Sequence, residues 1–313
     1  MPATSVPKSL VFASPDGLDI ELDYDLPETA SAEQPVPILV WWHGGGLLQG
    51  SRKTIWPHLV RAPALHNLCV VSPDYRLAPQ TRLPDILEDI ASLLSFIRSD
   101  KFVAATGGRV DPSKVIVSGG SAGGWLALLA GTGTGFEAAG LAPPEKPLAI
   151  AAIYPITDLM DPFWVTKQHP VSYAKRVFTE SEMAEYLDPN SAKTTFVPPG
   201  STRSEFYTYM VQEGILANLL LDGTGLDPSA FSIARSILSG AVDPVPPIYI
   251  VHGSIDDKVP PSQSLDVVAA LEKKGVEHDF EWLEGKDHLY DKDEGEEMER
   301  MYAFIRRVLE RAQ

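Results

Sequence analysis

Lys114-Val115-Ile116-Val117-Ser118-Gly119-Gly120-Ser121-Ala122-Gly123-Gly124-Trp125-Leu126-Ala127-Leu128-Leu129 is the stretch whose reading decides the fold. An apolar, β-branched run ends at Ser118, glycines follow at once, and small and leucine residues from Ala122 onward predict a helix. Ser121 therefore falls in a strand-to-helix turn with the pattern G-x-S-x-G. Its glycines have a steric reason. The turn forces the serine backbone into a strained conformation, and flanking side chains would collide with the neighbouring strand and helix. The result is a hydroxyl held at a helix N-terminus, where backbone N–H groups and the helix dipole favour a developing anion. A chance glycine-serine loop could carry the same letters; the strand before and the helix after set this one apart.

Outward from that turn the chain alternates strands and helices. On its N-terminal side, Ile38-Leu39-Val40-Trp41-Trp42 is a continuous apolar run, as expected of a strand covered on both faces, and it ends in His43-Gly44-Gly45-Gly46. Leu68 to Ser72 reads as another buried strand. Pro84 opens a helix whose apolar residues Ile86, Leu87, Ile90, Leu93, Leu94 and Ile97 keep a 3.6-residue spacing. Ser9–Ala13 and Leu18–Tyr24, joined by Ser14-Pro15-Asp16-Gly17, predict an antiparallel hairpin at a sheet edge. On the C-terminal side, Leu148 to Tyr154 and Ile248 to Val251 read as buried strands. A helix from Ser262 to Lys274, a strand from Val276 to Leu283 and a final amphipathic helix through Met301, Ile305 and Val308 complete the rhythm. This pattern predicts an α/β fold with a mostly parallel sheet and helices on both faces.

The rhythm breaks between Asp158 and Val245, where only helical pieces appear (Ser181–Leu187, Ser204–Leu221, Ser229–Leu238), separated by Pro and Gly as in Pro198-Pro199-Gly200. Residues 158–245 are therefore expected to form an inserted helical cap, with 1–157 and 246–313 making the core.

The 313 residues carry 42 acidic and 26 basic side chains, a net charge of -16, which argues against nucleic acid or an anionic membrane surface as partner. The one cysteine, Cys69, lies in an apolar run and implies a buried thiol. Met1 to Lys8 lack a signal-peptide apolar region and no run of 18 apolar residues occurs, so a cytoplasmic setting is expected. Neither H-E-x-x-H nor C-x-x-C is present, so neither metal nor cofactor is expected.

A serine hydroxyl needs a base within reach, a group to orient that base, and donors for the oxyanion. In an open α/β sheet these gather at the carboxyl ends of the strands. Among seven histidines, His288 in Glu284-Gly285-Lys286-Asp287-His288 follows the last strand and has the right chain order to be the base. His43 sits at a strand end but precedes Ser121, and His252 is expected to be buried in its strand. The orienting acid should follow the strand before His288, where Asp256 and Asp257 stand side by side; spacing does not separate them, and Asp287 is a third competitor. Three glycines after His43 let the backbone approach a substrate and turn its N–H groups toward it.

Three motifs now stand in one order: His43-Gly44-Gly45-Gly46, Asp74-Tyr75-Arg76-Leu77-Ala78-Pro79 and Gly119-Gly120-Ser121-Ala122-Gly123-Gly124. Together they resemble the signature set of hormone-sensitive-lipase-like carboxylesterases of the α/β-hydrolase superfamily. The resemblance implies Ser121 as nucleophile, Asp256 as acid, His288 as base, and the backbone N–H groups of Gly45, Gly46 and Ala122 as oxyanion hole. His252 to Pro260 looks like the prolyl-peptidase branch, where the first Asp of such a pair is the catalytic one, which favours Asp256. Two departures stand out. Gly120 replaces a usually acidic residue, and the N-terminal part is short for the cap that many members carry there, so the lid role falls on 158–245.

The implied activity is a serine esterase acting through an acyl-enzyme on a small-molecule ester, small to medium, hydrophobic or aryl. Rival readings are a lactone or polyketide-ester hydrolase, a dehydratase on the same scaffold, or a small-molecule receptor that has lost turnover. Aromatics of the cap are expected to wall an acyl pocket, with Phe163 and Trp164 foremost because they follow a strand end.

Overall fold

Alternation along the central strands places successive side chains on opposite faces, and each face needs its own cover. The computed structural model describes residues 7–198 and 200–312. The readings above on Met1–Val6 and on Pro199 lie outside these residues. Among the described residues eight strands form one sheet in the order β1-β2-β4-β3-β5-β6-β7-β8: β1 (Lys8–Ala13), β2 (Ile20–Asp25), β3 (Val36–Trp42), β4 (Cys69–Pro73), β5 (Val110–Gly120), β6 (Ala149–Ile153), β7 (Ile248–Gly253) and β8 (His278–Leu283). β1 and β2 pair antiparallel at the edge, β2 pairs antiparallel with β4, and the rest of the sheet is parallel.

Ile38, Val40 and Trp42 of β3 enter one buried cluster with helices α2 (Leu83–Ile97), α4 (Ala122–Thr132) and α10 (Ser262–Lys274). Leu39 and Trp41 enter a second on the other face, with α1 (Pro57–His66) and α11 (Glu299–Arg311). The expected α/β architecture is therefore present, and the hairpin lies at the edge as read. Outside residues 158–245, two helices escaped the periodicity argument. α1 contains Pro63, which reads as a breaker, and α3 (Asp100–Ala105) is too short to show a period.

Between β6 and β7 the chain forms α5 (Pro162–Val165), α6 (Glu180–Leu187), α7 (Arg203–Glu213), α8 (Leu216–Leu221) and α9 (Ile233–Ser239). The single helix expected over 204–221 is two. Gly214, at φ +64° with no room for a Cβ against Thr166, ends α7 in a left-handed cap. α9 packs along α10, while α5 packs against α7 and α8. Among the described residues no helix is long and apolar enough to cross a membrane.

Candidate active site

Ser121 lies between β5 and α4 at φ 59°, ψ -123°, a conformation that side chains rarely adopt. Its backbone is held from both sides: its N–H donates to Ile153 O at 2.9 Å, and its carbonyl accepts from Trp125 N at 3.1 Å. The glycines are required by close approach. A Cβ on Gly123 would lie 2.0 Å from Trp42 O, and one on Gly119 would lie 2.3 Å from Gly123 O. The departure at Gly120 also has a steric cause, because a Cβ there would meet the Tyr154 ring at 3.0 Å and Trp41 at 3.3 Å.

The glycine loop after β3 runs beside this turn, and a Cβ on Gly44 would sit 3.0 Å from that of Ser121. Gly45 and Gly46 take φ +104° and +67°, and Ala122 opens α4. The N–H groups of Gly45, Gly46 and Ala122 are not used in the turn and loop hydrogen bonds of the described residues. The second motif braces the loop. Tyr75 Oη donates to His43 O at 2.9 Å and its ring stacks on the His43 ring, with centroids 4.3 Å apart, while Ala78 N donates to Leu47 O at 2.8 Å. Asp74 accepts from Arg52 N at 2.6 Å, and Arg76 pairs with buried Asp89 at 2.7 Å. His43 is buried, and burial lowers its imidazole to about 4, outweighing its bond to Gly44 O. His43 is thus a neutral structural residue behind the loop.

After β7, Asp256 Oδ1 accepts the N–H groups of Lys258 and Val259, each at 2.9 Å. Its Oδ2 lies 2.6 Å from Nδ1 of His288, which arrives on the loop after β8. Burial alone would raise the Asp256 carboxyl. Hydrogen bonds from His252 and His288 outweigh it and hold the group well below the usual carboxylate range. The other two acids are engaged elsewhere: Asp257 pairs with Lys258 Nζ, and Asp287 accepts the backbone N–H of His288 at 2.6 Å. With Nδ1 on a carboxylate, Nε2 is the imidazole nitrogen free to take a proton.

Sequence reasoning saw His252 only as a buried strand residue. It is fully buried, but Nε2 also stands 3.2 Å from Asp256 Oδ2 and 3.0 Å from Val259 O, while Nδ1 meets Ser264 Oγ at 2.7 Å. Two acceptors at Nε2 make it the protonated nitrogen, so His252 is a second donor to Asp256. The four-residue separation of His252 and Asp256 was the available signal. Tyr154, at φ 38°, was likewise overlooked. Its ring lies 4.4 Å from that of His288 and its hydroxyl donates to buried Asp291.

Ser121 and His288 both line a cavity of about 460 Å³ at the carboxyl ends of the strands, together with Gly44, Gly45, Gly120, Trp41 and Tyr154 of the core. Val197, Pro198 and Tyr207 contribute from the segment between β6 and β7. Buried Arg203 fixes α7 above the glycine loop by donating to Leu48 O and Ala78 O at 2.7 and 2.8 Å, which brings Tyr207 to within contact of Gly46. Phe163 and Trp164 do not line the cavity, which corrects the expectation that they wall it. Trp164 is fully buried, with Phe163 edge-on at 4.6 Å, because the single turn α5 packs inward on α7 and α8. Among the described residues no group of three or more His, Cys, Asp or Glu side chains is placed to hold a metal ion.

The strand order, the strained turn and the flanking helices define the class, and sequence comparison agrees. The profile of a family described as alpha/beta hydrolase fold matches residues 39–199, and the chain belongs to that family. The profile of the prolyl oligopeptidase family matches residues 224–312, the part holding Asp256 and His288. Similar proteins include the non-reducing polyketide synthases pkbA of Emericella nidulans, 30% identical over 91% of this chain, and ascC of Acremonium egyptiacum, 28% identical over 90%. The chain spans only 13% and 14% of the length of these two relatives. Among solved structures, an alpha/beta hydrolase superfamily protein from Enterococcus faecalis has a TM-score of 0.70 at 19% identity, covering 97% of this chain and 99% of that one. Thermogutta terrifontis esterase 2 has a TM-score of 0.66 at 20% identity, covering 99% and 96%. Both likenesses are of fold.

Proposed function

We propose that this chain is a serine hydrolase that cleaves a carboxylic ester of small to medium size, hydrophobic or aryl, through an acyl-enzyme. One observation carries the reading: a serine in a strained strand-to-helix turn shares a cavity with a histidine whose far nitrogen is hydrogen-bonded to a buried, ionised aspartate. In this reading His288 Nε2 takes the proton of Ser121 Oγ as the hydroxyl attacks the ester carbonyl, and returns it to the departing alcohol. Asp256 holds the imidazole in the tautomer that leaves Nε2 free. The N–H groups of Gly45, Gly46 and Ala122 receive the negative charge of the tetrahedral oxygen; losing one such donor typically costs about 2.7–4 kcal/mol of transition-state stabilisation. Water then repeats the cycle on the acyl-enzyme. In this reading the chain is a hormone-sensitive-lipase-like carboxylesterase, supported by its three motifs, with residues 158–245 as the lid.

The similarity to segments of polyketide synthases favours a second reading, in which the same machinery opens a polyketide ester or lactone. The test for both is fluorophosphonate labelling with mapping of the adduct, followed by turnover of p-nitrophenyl esters of increasing chain length beside phenolic benzoate esters and aryl lactones. Labelling at Ser121 with ester turnover supports the hydrolase, and preference for the aryl esters and lactones supports the second reading. A protein that binds these esters without labelling or turnover is a receptor.

A further inference from the structure

Three lysines are among the residues that line the cavity holding Ser121 and His288: Lys53, Lys258 and Lys292. No aspartate or glutamate is among its described lining residues, although acidic side chains outnumber basic ones 42 to 26 in the chain. The three lysines come from separate parts of the fold, the loop after β3, the loop after β7 and the short turn after His288, so their convergence is a product of tertiary structure. Two of them are ion-paired, Lys53 with Asp23 and Lys258 with Asp257, neither acid being among the lining residues. Lys292 has no carboxylate within 4 Å among the described residues. Its Nζ lies 5.4 Å from the centre of the Trp56 ring, itself part of the cavity wall. Lys258 likewise lies 3.7 Å from the Tyr173 ring centre.

Aromatic faces hold an ammonium group in place without neutralising its charge. A cavity walled by apolar surface focuses the field of such groups, and a bound anion is attracted more strongly than it would be in bulk water. Against a net charge of -16 for the chain, the described wall of this cavity holds three lysines and no acidic side chain. A neutral ester would gain nothing from the arrangement.

We propose that the natural substrate carries a second, negatively charged group beside the bond that is cleaved, received by Lys292 with Lys53 and Lys258 around it. This rests on the serine-hydrolase reading for the position of the cleaved bond, but not for the binding of the anion.

Two pairs of rigid probes test it: 4-acetoxybenzoate against 4-acetoxybenzamide, with the charge on the leaving group, and the 4-nitrophenyl monoester of terephthalic acid against its carboxamide, with the charge on the acyl group. In at least one pair kcat/KM should favour the anion by about tenfold, as one charge-assisted hydrogen bond would. The ratio should fall toward unity in Lys292→Ala and in 0.5 M NaCl. Binding is read separately in Ser121→Ala from the change in total tryptophan fluorescence, Trp41 and Trp56 lying in the cavity wall; terephthalate should bind more tightly than terephthalamide and lose that advantage when Lys292→Ala is added. Equal ratios in both pairs and equal binding in Ser121→Ala would overturn the anion site. Absent fluorophosphonate labelling together with selective terephthalate binding would overturn the hydrolase reading and leave the anion site standing.

Discussion

Nδ1 of His288 stands 2.6 Å from Oδ2 of Asp256, an acid 32 positions earlier in the chain, while Asp257 turns away to Lys258. Oδ1 of the same carboxylate is fixed by two backbone N–H groups, so Oδ2 has little freedom to swing from the imidazole.

Asp256→Asn should therefore lower turnover by about 10⁴-fold, because an amide at this position favours the wrong imidazole tautomer. Asp257→Asn, which breaks one partly exposed ion pair, should leave turnover near the wild-type value. His252→Phe, which removes the second donor to Asp256, should fall between them. Steady-state kinetics on one p-nitrophenyl ester ranks the three, and the reverse order for the two aspartates would make Asp257 the acid.

Ser121→Ala should abolish fluorophosphonate labelling and ester turnover without loss of the native circular dichroism, since the hydroxyl carries reactivity and little packing. His288→Ala should lower kcat by about 10⁴-fold or more, because the serine loses its base. Adduct formation that persists in Ser121→Ala, mapped by mass spectrometry, would place the nucleophile elsewhere.

Stability should depend on His43 in mildly acidic solution. Burial lowers its folded value to about 4, against about 6.5 in the unfolded chain. Between those values the unfolded state binds a proton that the folded state refuses. The stabilisation is therefore complete above the unfolded value and is lost as pH falls through the folded one, a decline of about 3 kcal/mol by linkage. Urea unfolding at pH 7, 5.5 and 4.5 should show a shallower decline in His43→Asn than in wild type; parallel declines would remove His43 as the cause.

Trp164→Ala should cost about 3–5 kcal/mol of stability, as for a large side chain deleted from a closed core, and leave the ester chain-length profile unchanged. Tyr207→Ala should do the opposite, since Tyr207 lines the cavity and reaches across to donate to Lys258 O at 2.9 Å. Thermal unfolding of both variants beside the ester panel separates the two roles.

How much of this was legible in the chain follows from the range of the forces involved. β3, β5, α2 and α4 could be read directly, because alternation, 3.6-residue spacing and the crowding that demands Gly119 and Gly123 are local properties of consecutive residues. Those same local rules singled out Ser121, and chain order pointed to His288. Side-chain direction in the loops is set by packing against distant segments, which no local pattern encodes. Asp256 and Asp257 are equivalent by spacing and were separated beforehand only by resemblance; in the structure the backbone N–H groups of Lys258 and Val259 turn one of them toward His288. Trp164 follows a strand end, as a pocket residue would, yet α5 turns it into the core. Lys53, Lys258 and Lys292 lie far apart along the chain, and only the closure of the loops after β3, β7 and β8 around one cavity brings them into a single lining.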